Sequence, residues 1–177
     1  MNLIIIEQQD NKLIFERLKR SEILIINNED KFEIFVNIES SEQSVEERNS
    51  IESKYLTKLS EFITYAWPKL QFMNMSKDEL NRVFNEKIHI IKGWENEFKM
   101  AGIYVGWGVE THENEIEMKI QNDFVTLNWT CIVDDMNRYD IDFKPFRSKI
   151  QAELKVLRFE TKQEFWEYEK DKLEGKK

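Results

Sequence analysis

Between Ile103 and Val133 apolar and polar residues alternate, and a chain can satisfy both sets only by lying as strands with one face buried and one wet. Ile103, Val105, Trp107 and Val109 alternate with Tyr104, Gly106, Gly108 and Glu110; Ile116, Met118 and Ile120 alternate with Glu115, Glu117 and Lys119. Val125, Leu127, Trp129, Cys131 and Val133 then alternate with Phe124, Thr126, Asn128, Thr130 and Ile132. The pattern predicts a three-stranded antiparallel meander, with a loop at residues 111–114 and a turn at residues 121–123.

The same period marks a hairpin over residues 22–38, with its turn at residues 27–30. Shorter strands are expected at residues 3–6, 12–15 and 87–91. A further strand is expected from Ile150 through Ala152, Leu154 and Val156 to Phe159. Three capping boxes mark helix starts. Ser44 with Glu47 opens a stripe of Ile51, Tyr55, Leu59, Phe62, Ile63 and Ala66 that should lie across a sheet and end at Trp67, before Pro68. Ser76 with Glu79 opens a short helix, and Thr161 with Glu164 a terminal one that Gly175 closes. The expected fold is therefore α+β: an antiparallel sheet of six to eight strands, one long helix packed across a face, and short additional helices.

A length of 177 residues with 41% hydrophobic and 12% aromatic content suits a single domain with its own core. One cysteine, Cys131, makes no internal disulfide, and the apolar run at residues 3–6 is too short for a signal peptide or a membrane span. The expectation is a cytoplasmic protein that does not engage membranes. Net charge is −8 and uneven: residues 144–177 carry 10 basic and 7 acidic side chains, so the first 143 residues stand at −11. Such a surface repels phosphate backbones and steers toward cations, which argues against nucleic acid and for a basic protein partner.

His112 among Glu110, Glu113, Glu115 and Glu117 has the residue types of a divalent-metal site but none of the usual ligand spacings. Glu117-Met118-Lys119 has the form of a restriction-type nuclease strand without the upstream aspartate that such a site needs. Asp134, Asp135, Asp140 and Asp142 lack the glycine and closing glutamate of a calcium loop. Phosphate-loop, dinucleotide and nucleophile-elbow motifs are absent, and no cofactor is expected. These features point to a non-enzymatic, acidic protein-binding module, of an inhibitor or immunity type that masks a basic surface of a toxin or defence protein. Its expected contact residues are Tyr104, Trp107, Glu110, His112, Glu113, Glu115 and Glu117. The alternative is a metal-dependent hydrolase or nuclease built on His112 and the carboxylates around it. Oligomeric state leaves no trace in the sequence.

Overall fold

The computed structural model describes residues 2–8, 11–41, 66–104, 108–133 and 145–175. Ten strands and two helices follow in chain order: β1 (Leu3–Gln8), β2 (Asn11–Phe15), β3 (Leu18–Asn28), β4 (Lys31–Ser40), β5 (Trp67–Met75), α1 (Lys77–Val83), β6 (Ile88–Lys92), β7 (Lys99–Tyr104), β8 (Gly108–Gln121), β9 (Phe124–Val133), β10 (Phe146–Phe159) and α2 (Lys162–Leu173).

Seven of these strands close on themselves. β3 pairs with β4, β4 with β5, β5 with β7, β7 with β8, β8 with β9 and β9 with β10, all antiparallel; β10 then returns to β3 in parallel register, Val156 opposite Ile23. An odd ring cannot alternate direction all the way round, so at least one parallel pair is a geometric necessity, and β3–β10 is it. The expected α+β sheet with a long helix across it is thus corrected: the protein is mostly β, a closed seven-stranded barrel, with two short helices among the described residues. The helix expected over residues 44–67 lies outside the described residues up to residue 65, and Trp67, its expected end, begins a strand.

The sequence explains how the ring is built. β8 and β10, 14 residues each, keep β9 along one edge and divide the other between two strands: β7 and β6 for β8, β3 and β1 for β10. The inward set includes Ile23, Ile25, Ile34, Val36, Leu70, Phe72, Ile103, Ile116, Leu127, Trp129 and Leu154, every one nearly inaccessible to solvent. β1 and β2 add Ile4, Ile6 and Phe15 to the same core. A ring of seven strands is narrow enough for such side chains to fill it.

Two local expectations need correction. The stretch 103–109 is not one strand: it doubles back, so that Tyr104 pairs with Gly108 and Ile103 with Val109. The expected loop at residues 111–114 is instead a bulge inside β8, with the register shifting between His112 and Glu115 and Glu113 at φ 47°. The hairpin turn at Glu29, the 121–123 turn with Asn122 at φ 54°, and the Ser76–Glu79 capping box are as expected. At α2, Thr161 caps the Glu164 amide at 3.2 Å, but the Glu164 carboxylate accepts from Glu160 N rather than closing a box.

α2 covers an outward apolar face. Leu24 and Ile26, facing away from the barrel, are fully buried beneath Phe165, which stacks on Phe35 at 5.2 Å and meets Phe159 edge-on at 5.9 Å. Burying one phenylalanine stabilises by about 2 kcal/mol. Ion pairs flank it: Lys162 with Glu33 at 2.7 Å, Glu169 with Arg20, and Lys172 with Glu22, to which Arg20 also donates at 2.8 Å. Burial alone would raise the Glu22 pKa, but hydrogen bonds from Lys172 and Arg20 outweigh it and hold the carboxyl below its ordinary value. A depressed carboxylate contributes stability that is present above its unfolded pKa and lost as pH falls through the folded one. We therefore expect α2 amides to lose hydrogen-exchange protection, relative to β8, between neutral pH and about pH 3. Unchanged relative protection across that range would contradict the clamp.

Candidate functional site

Gly93 sets the site. It follows β6, donates its N–H to Thr111 O at 2.8 Å and accepts from Ala101 N at 3.0 Å, so the backbone lies close against both β7 and β8. A Cβ there would overlap the Ala101 carbonyl oxygen outright and stand 2.9 Å from the Thr111 carbonyl oxygen. The chain leaves this pinch with Trp94 on the outside of the barrel, its backbone N–H donating to Glu110 Oε1 at 2.8 Å. The indole lies over Gly102 and Gly108: a Cβ on Gly102 would meet Trp94 Nε1 at 3.0 Å, and one on Gly108 would touch the far ring edge at 3.8 Å. One glycine on each of two adjacent strands thus leaves room for the tryptophan to pack against the wall while staying 50% exposed.

Around it the outer wall is aromatic and polar. Tyr104 is 37% exposed and meets Trp67 edge-on at 6.1 Å, and Lys69 places its Nζ 3.6 Å from the Trp67 ring centroid, a cation–π contact within the chain. Trp94, Met100, Gly102, Tyr104 and Gly108 line a recess of about 160 Å³ together with Lys69.

The expected contact residues distribute as follows. Tyr104 ends β7, while Glu110, His112, Glu113, Glu115 and Glu117 all stand on β8; Trp107 lies outside the described residues. Glu110 and His112 share the outer face, with Oε2 and Nε2 3.8 Å apart. Glu115 and Glu117 share Lys87, at 3.1 and 3.5 Å, and the Glu115 hydrogen bond raises the pKa of that lysine. Glu113 projects at the bulge and is exposed. Among the described residues no group of three or more His, Cys, Asp or Glu side chains is placed to hold a metal ion.

Sequence reasoning missed Trp94 and its glycine floor. The available signal was a glycine–tryptophan pair preceding two glycines that share the tyrosine-bearing face.

Behind the wall the bulge is held by a buried polar knot. Asn114 Oδ1 accepts from Trp129 Nε1 at 2.9 Å and from Thr111 Oγ1 at 2.6 Å, while its Nδ2 donates to Ile90 O at 2.9 Å and Thr111 O at 3.0 Å. Its hydrogen-bonding capacity is fully used. Cys131 faces the same core, where burial pushes its thiol pKa far up and leaves it inert as a nucleophile.

No described helix is long and apolar enough to cross a membrane. Comparison with known protein families, with characterised proteins and with solved structures finds no match to this chain.

Proposed function

We propose that the protein is a non-enzymatic, acidic binding module that docks a basic protein partner on the outer wall of β7 and β8, in the manner of an inhibitor or immunity factor masking a cationic surface. The observation that carries this reading is Trp94, half exposed against Gly102 and Gly108, sharing a recess with Tyr104 and bonded through its backbone N–H to Glu110 of β8. Interfaces draw their affinity from rigid aromatic anchors within a charged rim, and an anchor ordered before binding loses little entropy on docking. The carboxylates add long-range attraction to a cationic partner, and the same field repels nucleic acid. The inward positions of the ring are occupied by side chains, which leaves the outside as the surface available for recognition.

Selection of random peptides displayed on phage against the intact protein at low salt tests this. The enriched peptides should be basic, should bind more weakly as salt rises, and should lose about tenfold in affinity against W94A or the triple charge reversal E113K/E115K/E117K. Enrichment of neutral or acidic peptides, or binding indifferent to both variants, would overturn the reading.

A further inference from the structure

We propose that Trp94 and Glu110 form a receptor for one arginine side chain of that basic partner; the inference rests on the docking reading above and names the chemistry of its central contact. Three observations converge. The first is the indole face itself. Gly102 and Gly108 lie against the Nε1-to-Cη2 edge of the ring while the indole stays 50% exposed, so aromatic surface is open to solvent, and tryptophan offers a cation the most favourable of the aromatic faces.

The second is a carboxylate at the right place. Glu110 stands opposite Gly102 in the β7–β8 register, next to Trp94, and its Oε1 accepts from the Trp94 backbone N–H. Its Oε2 faces His112 Nε2 at 3.8 Å, beyond ordinary hydrogen-bond length, and so keeps acceptor capacity for a guanidinium N–H. A planar, weakly hydrated guanidinium can stack on the indole and donate in its own plane to that oxygen at once; a lysine ammonium, compact and strongly hydrated, does the two jobs less well together.

The third is local charge. Exposed Glu95 and Glu97 follow Trp94 on the link between β6 and β7 and add further carboxylates to that segment. Lys69 lines the adjoining recess, but its Nζ sits against the Trp67 ring. The chain thus already uses a cation on an indole face once on this wall.

The capped tripeptide Ac-Gly-Arg-Gly-NH2, titrated into the intact protein, is the probe, with its lysine and alanine counterparts as comparisons. Heteronuclear NMR of the indole N–H groups gives the readout, the Trp94 resonance being identified by its loss in W94F. The arginine peptide should shift the Trp94 indole and the Glu110 amide saturably, several-fold more tightly than the lysine peptide, and the alanine peptide should leave both unmoved. E110Q should weaken the arginine response several-fold without moving the other indole resonances, which shows that the barrel is intact. Equal responses to arginine and lysine, a response unchanged in E110Q, or shifts that spare Trp94 would each overturn the arginine receptor. Should phage selection still yield basic peptides whose binding depends on the β8 carboxylates, the docking reading would survive that failure; should it yield none, the docking reading would fall on its own evidence.

Discussion

Replacing Asn114 by alanine is expected to destabilise the protein by about 4 kcal/mol, because each buried donor or acceptor left without a partner costs roughly 1–3 kcal/mol. Two donors lose their shared acceptor at once: the Trp129 indole N–H, at a fully buried position, and the Thr111 hydroxyl. The Ile90 carbonyl loses its amide donor in the same step. The resulting hole lies behind the bulge of β8, so the register between His112 and Glu115 loses its support from within. Denaturant unfolding followed by tryptophan fluorescence would measure the effect, and a chain of this length should show a fall in melting temperature of roughly 10 °C. W129F, which removes a donor and leaves the other three hydrogen bonds in place, should cost less. A penalty for N114A below about 1 kcal/mol would mean that the knot does not hold the bulge.

Gly93→Ala is expected to be nearly as damaging, about 3 kcal/mol, for a steric reason. The added methyl overlaps the Ala101 carbonyl oxygen and crowds that of Thr111, and both belong to backbone that cannot rotate away as a side chain would. Relief requires the link between β6 and β7 to lift off the sheet, breaking the hydrogen bonds to Thr111 O and from Ala101 N. Trp94, the next residue, then leaves its glycine floor. G93A should therefore lose both stability and the response of the Trp94 indole to basic peptides, whereas G102A should disturb the indole with a smaller loss of stability, since it meets a side chain and one carbonyl at 3.0 Å. Wild-type stability in G93A, measured by denaturant unfolding, would contradict the close approach.

The contrast between what could be read in the residues and what could not follows from the range over which each signal acts. Hairpins and caps are local: the β3–β4 turn, the Ser76 box and the Thr161 cap are set by residues a few positions apart, and each forms where expected. Ring closure is not local. Val156 meets Ile23 in parallel register across most of the chain, and parallel pairing leaves no turn between its partners. β5 was hidden by Pro68, which read as a helix stop; the barrel accepts it at the second residue of the strand, ahead of Lys69, where pairing with β4 begins.

The site divides in the same way. Period two placed Glu115 and Glu117 together on one strand, and they stand on β8; Glu110 was expected on the strand before a loop at residues 111–114, and stands on β8 as well because that loop is a bulge within it. Trp94 was unreadable as an anchor because its floor comes from two strands, and reading 103–109 as one strand concealed that Gly102 and Gly108 are diagonal neighbours against one ring.

The most direct test of the central claim, that recognition occurs on the outer wall while the interior serves as core, is a backbone chemical-shift map of the intact protein saturated with the most enriched basic peptide. Perturbations should be confined to the 93–99 link, β7 and the outward residues of β8. Perturbations centred on inward positions such as Leu127 and Trp129, or on α2, would contradict it.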